Sequence, residues 1–304
     1  MCETLDAVRL NFTPDSLLLL NVTLFIIMYG IALELRPEDF LRLIQNPRNA
    51  LIGLTSQIVV LPALTLALVH VLKPCPSMAL GMFLVAACPG GNISNFICML
   101  ARGNVALSVS LSAISTVTAI VVTPFNFGFW TRFYPPAAAM LREIALDPQD
   151  VFMTIILILG LPLVLGMLTT RLRPVWAAWL SPKIRVASLV IFAGYIIGAL
   201  TANWDFVRQY IQYVWYLVIL HNFVAYAGGY TFAAAWRLPE QDRRAISIET
   251  GIQNSGLGLV LIFSLFNGTG GMAMIAALWG IWHLITGISL AGIWSRLQPV
   301  TAHV

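Results

Sequence analysis

The sequence predicts an all-α, polytopic membrane protein, and three observations support this fold class. Hydrophobic residues make up 59% of the 304 residues and charged residues only 10%, whereas soluble proteins carry about 25% charged residues. The mean hydropathy is +0.85. Nine apolar segments are long enough to cross a bilayer, or nearly so, at about 17–25 residues each. These segments are 16–35, 49–72, 78–101, 105–129, 151–170, 186–202, 212–235, 244–266 and 271–294.

Basic residues predict how these segments are oriented, because lysine and arginine are enriched in cytoplasmic loops. One set of alternate loops holds Arg36, Arg42, Arg48, Arg102, Arg171, Arg173, Lys183, Arg185, Arg237, Arg243, Arg244 and Arg296. The other set holds only Arg9, Lys73, Arg132, Arg142 and Arg208. Nine spans then place the amino terminus outside and the carboxyl terminus in the cytoplasm, in a plasma or inner membrane. Acidic residues flank Arg9, so the first segment is predicted to be a retained span and not a signal peptide.

A polar cluster interrupts the eighth segment between Ser247 and Leu257. Glu249 is the only acidic residue well inside an apolar segment, and Gly251 and Gly256 lie close to it. An ionisable group at the centre of a membrane helix costs roughly 2.5–3.5 kcal/mol and by default marks a functional site. The alternative interpretation is a polar cluster that only joins helices through hydrogen bonds.

The third segment is interrupted as well, which makes it a partner for the eighth. Pro89 removes a backbone donor and Gly90-Gly91 has low helix propensity, so the helix is predicted to break there. A packing kink is the alternative. In the predicted topology the two interrupted segments run in opposite directions, a pattern typical of inverted-repeat transporters whose broken helices cross near the midplane.

Further neutral oxygens lie in neighbouring segments. Gln57 is the main polar side chain deep in the second segment, and Ser108 and Ser112 share one face of the fourth. Each also has an ordinary explanation, since serine bonds its own helix and glutamine joins helices. Together with Glu249 they form an all-oxygen set suited to a hard cation. No lysine or arginine lies well inside a span, since Arg244 is at the very start of the eighth, so Glu249 requires either a bound Na⁺ or a proton for neutralisation.

Other classes of function find less support in the sequence. His221 and His283, each in the middle of a segment, give the alternative of a metal site or proton relay. The segments contain no H-E-x-x-H, no G-x-S-x-G and no pair of acids, so an intramembrane enzyme lacks its usual residues. The net charge of +4 indicates no nucleic-acid partner. No disulfide framework or zinc site is expected, because no spacing pattern relates Cys2, Cys75, Cys88 and Cys98.

The motifs resemble those of the bile acid:sodium symporter family over nearly the whole chain. The two specific signatures are Cys88-Pro89-Gly90-Gly91-Asn92-x-Ser94-Asn95 and Glu249-Thr250-Gly251-x-Gln253-Asn254. Three shorter matches are Arg102-Gly103-Asn104-x-Ala106-Leu107-Ser108, Leu220-His221-Asn222 and Trp282-His283. The chain departs from bacterial relatives in having nine predicted spans, like the animal members, and in carrying Leu284 where they usually have asparagine.

This resemblance implies a secondary transporter with a panel domain and a core domain. The panel would comprise about 16–35, 151–170 and 186–202. The core would comprise about 49–72, 78–101, 105–129, 212–235, 244–266 and 271–294, with its two broken helices crossing at mid-membrane.

The resemblance also implies ligands for two Na⁺ ions and for a substrate. The first Na⁺ site would use Ser94, Asn95, Ser108, Ser112 and Glu249. The second would use Gln57, Glu249 and Gln253, with the backbone carbonyls of Thr250 and Ile252. Substrate contacts would fall on Asn92, Asn254 and His283.

The implied function is sodium-coupled symport of an organic anion by alternating access. The anion would be a bile-acid-like amphipath or a smaller carboxylate. The alternative is a proton-coupled transporter of organic anions on the same scaffold. Beyond the substrate and the lipid bilayer no partner is implied, and no oligomer is required.

Overall fold

A computed structural model describes residues 2–8, 14–35, 47–91, 93–144 and 153–297, and these residues are almost entirely helical. The amino-terminal half contains α1 (Cys2–Ala7), α2 (Pro14–Glu34), α3 (Pro47–Leu72), α4 (Pro76–Ala87), α5 (Ile93–Leu100), α6 (Val105–Thr131) and α7 (Pro135–Glu143). The carboxyl-terminal half contains α8 (Met153–Leu172), α9 (Pro174–Ala202), α10 (Trp204–Ala235), α11 (Glu240–Gly251), α12 (Ser255–Leu265) and α13 (Gly270–Arg296).

Five of the described helices are long and apolar enough to cross a membrane: α3, α6, α8, α10 and α13. Shorter apolar helices lie at Asn21–Glu34, Pro76–Ala87 and Ser255–Leu265. The prediction of a polytopic helical membrane protein is therefore confirmed. The number of nine spans stays a prediction.

Several helices extend beyond the apolar segments that predicted them. The sixth segment was placed at 186–202, but α9 begins at Pro174 and continues through Lys183. The seventh was placed at 212–235, but α10 begins at Trp204. Apolar runs show only the part of a helix that faces an apolar environment, whereas the helix itself continues to its capping residues. The short helix α7 follows α6 in the connection between the fourth and fifth apolar segments.

Two helices each contain one turn of π-helix, which is often found at functional sites. In α3 this turn spans Ser56–Val60, and in α8 it spans Ile156–Gly160. Pro62 follows the first turn and has no N–H to offer the carbonyl of Ile58 four residues earlier. The side chain of Asn126, on α6, donates to that carbonyl over 2.8 Å. The irregular turn that carries Gln57 is thus fixed by a neighbouring helix.

The helices pack in two groups of neighbours. Helix α2 packs against α8 and α9, and α8 also contacts α9. Helices α4, α12 and α13 pack on one another, and α6 contacts α4, α5 and α11. Contacts between the groups include those of α2 with α12 and of α6 with the π-helical turn of α8. The second group carries the two interrupted segments.

Arg244 links several helix ends on the side of the molecule that the charge distribution predicts to be cytoplasmic. Its side chain is 2% exposed and lies near the start of α11. The guanidinium donates to the carboxylate of Glu240 (2.9 Å) and to the carbonyls of Ala101 (3.0 Å), Trp294 (3.0 Å) and Leu297 (3.3 Å). Arginine can satisfy several acceptors at once because its planar fork carries five N–H groups. One side chain thereby joins the ends of α5, α11 and α13.

A disulfide bond joins Cys2 to Cys75 at the opposite end, with Cα atoms 5.2 Å apart. The cysteine spacing, from which no disulfide framework is expected, does not predict this bond. The two residues are 73 positions apart, and their approach depends on α1 folding back on the start of α4 and of α13. Two hydrogen bonds fix this arrangement: Asp6 Oδ1 accepts from Ser77 N (2.9 Å), and Val8 O accepts from Gly270 N (3.0 Å). Cys88 and Cys98 are free and buried.

The disulfide provides a test of orientation, since structural disulfides form in oxidising compartments. On intact cells we expect a membrane-impermeant maleimide to label the protein only after treatment with an impermeant reductant. A Cys2→Ser/Cys75→Ser variant should stay unlabelled in both conditions, because Cys88 and Cys98 are buried. Labelling without reductant would contradict the disulfide. Labelling that requires permeabilised cells would contradict the external position of the amino terminus.

Candidate cation site at the crossing of two broken helices

The two interrupted segments cross through their non-helical connectors. The first connector, 88–91, follows α4, and the second, 252–254, separates α11 from α12. An antiparallel bridge pairs Gly90 with Gln253. Two backbone hydrogen bonds hold the connectors together, from Gly91 N to Ile252 O (2.9 Å) and from Asn254 N to Pro89 O (2.8 Å). Backbone groups freed by breaking the helices are thus satisfied inside the protein, as an apolar environment requires.

Local sequence explains why both helices end at these points. Pro89 lacks an N–H, and Cys88 takes up an extended conformation (φ −68°, ψ 154°) at the end of α4. Ile252 is also extended (φ −110°, ψ 104°). Asn254 then starts α12 as its N-cap, because its side chain accepts a hydrogen bond from Leu257 N over 3.0 Å. Four helix ends therefore meet at one place, two carboxyl-terminal and two amino-terminal.

The carboxylate of Glu249 lies beside this crossing and is fully buried. Its Oε1 accepts hydrogen bonds from the hydroxyls of Ser94 and Ser108, each over 2.5 Å. Its Oε2 accepts from the Ser112 hydroxyl (2.8 Å) and from Gln57 Nε2 (3.3 Å). All of these donors are neutral, and within the described residues no lysine or arginine forms an ion pair with Glu249. In the part of the chain that the structure describes, this carboxyl group is therefore surrounded by neutral dipoles, and no cationic side chain forms an ion pair with it.

Asn95 completes this group from the side of α5. Its Oδ1 lies 2.9 Å from the Ser108 hydroxyl and 3.4 Å from the Ser112 hydroxyl. The residues assigned to the first Na⁺ site therefore come together in one cluster from α5, α6 and α11. Carboxylate, amide and hydroxyl oxygens are the ligands that hard cations prefer. The chemistry of the set fits Na⁺.

The side chains assigned to the second Na⁺ site contact the backbone carbonyls of Glu249 and Thr250. Gln57 Nε2 donates to Glu249 O (3.1 Å), and Gln253 Nε2 donates to Glu249 O (3.3 Å) and Thr250 O (2.9 Å). Ile252 O accepts from Gly91 N and keeps a second lone pair. The amide oxygens of Gln57 and Gln253 are buried and have no hydrogen-bond partner among the described residues. A bound cation could be the missing partner of both oxygens.

The residues assigned to the substrate are less closely grouped. Asn92 lies outside the described residues. The Asn254 side chain is occupied as the N-cap of α12. His283 is 5% exposed, its Nδ1 has no partner, and no hydrogen bond within the described residues joins it to Asn254.

The histidines among the described residues belong to no metal cluster. His221 is buried, and its Nε2 lies 2.7 Å from the Thr65 hydroxyl oxygen. The centroid of its ring is 4.6 Å from the ring centroid of Trp279. Among the described residues no group of three or more His, Cys, Asp or Glu side chains could hold a metal ion. The metal-site alternative therefore gains no support from the part of the chain that the structure describes.

Sequence reasoning missed several residues that support the crossing. Asn222 Nδ2 donates to Gly251 O at the end of α11 (2.8 Å), and Asn222 Oδ1 accepts from the Thr286 hydroxyl (2.6 Å). The Ser56 hydroxyl lies 2.7 Å from that of Thr250. Asn222 stands beside His221 in a recognised motif and Ser56 beside Gln57. Neighbouring polar residues in an apolar run were the available signal for both.

Two broken helices that cross beside a buried carboxylate, within a bundle of long apolar helices, define a membrane protein of the secondary-transporter class. The model of the sodium bile acid symporter family matches residues 21–209. The chain belongs to this family.

Curated relatives agree with this assignment. A protein named uncharacterized sodium-dependent transporter YocS, from Bacillus subtilis, is 30% identical over 277 residues, which cover 91% of this chain and 83% of the relative. The probable sodium/metabolite cotransporter BASS1 of Arabidopsis thaliana chloroplasts is 32% identical over 281 residues, 91% of this chain and 67% of the relative. The human P3 protein is 28% identical over 263 residues, 85% of this chain and 54% of the relative. The family and these relatives make this protein a sodium-dependent transporter.

A substitution at Gly90 tests whether the close packing at the crossing is needed for Na⁺ binding. A Cβ atom there would lie 2.8 Å from Glu249 Oε2 and 3.2 Å from Gln57 Nε2. We expect Gly90→Ala to raise the Na⁺ concentration for half-maximal thermal stabilisation by about tenfold or more, or about 1.4 kcal/mol. The measurement is unfolding temperature against NaCl at constant ionic strength.

The matched control for this substitution is Gly258→Ala. A Cβ atom at Gly258 would meet only Cys88 Sγ at 3.7 Å and Ala276 Cβ at 3.9 Å, which are ordinary contacts. Its Na⁺ dependence should equal that of the unmodified protein. Equal Na⁺ dependence in both variants would contradict the view that Gly90 keeps space for the ion site.

Proposed function

We propose that this protein couples Na⁺ entry to the uptake of an organic anion by alternating access. The single observation that carries the proposal is the Glu249 carboxylate, buried and surrounded only by neutral oxygen and amide groups. A charged carboxylate buried in an apolar environment without an opposite charge has a high free-energy cost, which a bound cation would lower. The names of the relatives support Na⁺ as that cation.

Two ions fit the arrangement of oxygens. The first would bind among Ser94, Asn95, Ser108, Ser112 and Glu249. The second would bind among Gln57, Glu249 and Gln253 with the carbonyls of Thr250 and Ile252. The serine oxygens lie 2.5–2.8 Å from the carboxylate, which are hydrogen-bond distances. Ion binding would therefore turn the hydroxyl hydrogens outwards and move the oxygens slightly apart.

The substrate site is proposed on Asn92, Asn254 and His283, next to the crossing. The amino-terminal ends of α5 and α12 carry partial positive charge and would attract an anionic group. The substrate would be a bile-acid-like amphipath or a smaller carboxylate. Its anionic group would face the half-helices and its remaining part would lie between the two groups of helices.

Those two groups would be the moving parts. The panel would comprise α2, α8 and α9, which pack together, and the core would comprise the helices around the crossing. Ions bound at the crossing would favour one arrangement of the connectors and so prepare the anion site. By linkage each ligand would then tighten the binding of the other by the same factor.

The Cys2–Cys75 disulfide supports an external amino terminus, because that end of the molecule must meet an oxidising compartment. Together with the charge distribution it favours a plasma or inner membrane with the carboxyl terminus in the cytoplasm. Arg244 and its acceptors would then lie on the cytoplasmic side.

Proton coupling through Glu249 remains the competing mechanism, and substitution of Glu249 separates the two. In proteoliposomes we expect uptake from a panel of carboxylates to depend on an inward Na⁺ gradient at constant pH. Glu249→Ala should abolish accumulation, because one group shared by both ion sites is removed. Its fold should persist, which far-UV circular dichroism would check. Accumulation by Glu249→Ala with unchanged Na⁺ dependence would exclude the proposed site, and uptake driven equally by a proton gradient without Na⁺ would favour proton coupling.

A serine pair on α6 supplies a matched control for the ion site. Ser112 contacts the Glu249 carboxylate, whereas the hydroxyl of Ser110, also buried, donates to Ala106 O in its own helix. Loss of a hydrogen bond or ligand to a charged group costs about 1.5–3 kcal/mol. We therefore expect Ser112→Ala to raise the Na⁺ concentration for half-maximal uptake at least tenfold. Ser110→Ala should leave that concentration unchanged. Equal effects would indicate general disturbance of α6.

Position 284 tests the proposed placement of the substrate. Leu284 is partly buried and directly follows His283. We expect Leu284→Asn to change the ranking of substrates from apolar towards more polar carboxylates, because an amide replaces an apolar contact. The Na⁺ concentration for half-maximal uptake should stay the same. An unchanged ranking would show that residue 284 does not face the substrate.

A further inference from the structure

A second buried carboxylate lies on α11, near its start and seven residues before Glu249. Asp242 is 4% exposed, and each of its two oxygens accepts a hydrogen bond from a side-chain amide. Asn49 Nδ2 donates to Oδ2 (2.6 Å), and Asn104 Nδ2 donates to Oδ1 (2.7 Å). Bonds this short are typical of a charged acceptor. Among the described residues no lysine or arginine forms an ion pair with Asp242.

Asn104 lies in the turn between α5 and α6, the two helices that carry the serine and asparagine oxygens of the first ion site. Its side-chain oxygen accepts from Leu107 N (3.1 Å) as the N-cap of α6, so only its NH₂ group can meet Asp242. Its backbone N–H donates to Gln241 O (2.9 Å), and its backbone oxygen accepts from Ser108 N (3.0 Å). Asn104 is therefore bound to α11 through both side chain and backbone, one turn before Ser108.

Helices α6 and α11 thus meet at two levels. Asp242 and Glu249 are seven residues apart, which is about two helical turns, so they share one face of α11. At the end predicted to be cytoplasmic, Asp242 contacts Asn104. Two turns further in, Glu249 contacts Ser108. The distance between the Glu249 carboxylate and the serine hydroxyls depends on the register of these two helices, which the outer contact fixes.

We propose that Asp242 is a positioning residue for the cation site, because it sets the register of α6 against α11 through Asn104. The inference rests on the proposed function, in which Glu249 and Ser108 are Na⁺ ligands. Asp242 contacts neither of them, and it acts by holding the helix starts from which the ligands project. Ligands bind a metal ion tightly only when supporting hydrogen bonds hold them in place. Loss of the contact should weaken Na⁺ binding although every ligand is still present.

The test exchanges the two members of this hydrogen bond. Asp242→Asn leaves one oxygen for two N–H donors, so one of the two bonds is lost. Asn104→Asp keeps the cap of α6 but places two carboxylates together. In the double variant Asp242→Asn/Asn104→Asp, the amide at position 242 can donate to the carboxylate at position 104. The same bond is then restored in the reverse direction. Asn104→Ser is a milder variant, which keeps the cap and removes only the donor to Asp242.

The measurement is the apparent Na⁺ dissociation constant of the full-length purified protein. It is obtained from the rise of the unfolding temperature with NaCl, while choline chloride keeps the ionic strength constant. Each of the three single variants should raise this constant about three- to tenfold, as expected for coupling within one hydrogen-bond network. The double variant should return to within about twofold of the unmodified protein. An unchanged constant in the single variants, even with a lower unfolding temperature in Na⁺-free buffer, would overturn the inference. A double variant as weak as the single variants would overturn it as well.

Glu240 provides a matched control two residues earlier on the same helix. Its carboxylate accepts from Arg244 Nε (2.9 Å) and from the Tyr230 hydroxyl (2.8 Å). No hydrogen bond within the described residues joins it to α6. Glu240→Gln removes the same charge from the same helix end and should leave the Na⁺ dissociation constant unchanged. An increase equal to that of Asp242→Asn would assign the effect to charge at the helix start and would contradict the role of the contact with Asn104.

Failure of the proposed function would look different. If Na⁺ does not stabilise the unmodified protein, or if Glu249→Ala responds to Na⁺ as the unmodified protein does, the cation site itself is wrong. If Glu249→Ala abolishes the response and the variants of Asp242 and Asn104 keep it unaltered, only the role of Asp242 fails.

Discussion

The backbone pairing between the two connectors is the interaction on which the rest of the site depends. Each broken helix alone would leave carbonyls and N–H groups without hydrogen bonds in an apolar environment. Each such unpaired group costs several kcal/mol of free energy. The bonds between Gly91 and Ile252 and between Asn254 and Pro89 satisfy both segments at once. Glu249, Ser94 and Asn95 come together because their half-helices are held at this crossing. The cluster of oxygens around Glu249 therefore depends on the crossing for its formation.

The sequence was informative where chemistry is local. Proline and glycine at 89–91 marked one break, a carboxylate in an apolar run marked Glu249, and the composition established the membrane class. Membership of the family, confirmed by the matching family model, then grouped distant polar residues into sites. The cluster of Ser94, Asn95, Ser108 and Ser112 around Glu249 contains the residues that the resemblance had grouped together.

Other features could not be predicted from the sequence because they depend on tertiary contacts between distant residues. The Cys2–Cys75 bond requires α1 to fold back on α4, and no spacing rule encodes that approach. Helix ends were missed at 174 and 204 because amphipathic or charged turns continue a helix beyond its apolar part. At the π-helical turn around Gln57, Pro62 leaves the carbonyl of Ile58 without its helical N–H, and Asn126 of another helix donates to it. Asn222 supports Gly251 through a contact that only the packed bundle creates.

The disulfide also has a mechanical consequence. It attaches α1 to the start of α4, and α1 also packs on the start of α13, while α2, next along the chain, packs against α8 and α9. Only six residue steps separate Val8 from Pro14, and a chain of that length spans at most about 20 Å. If the two groups of helices move relative to each other, this short covalent tether sets an upper limit on their separation at the end of the molecule that carries the disulfide. Reduction of the disulfide would break this tether and remove that limit.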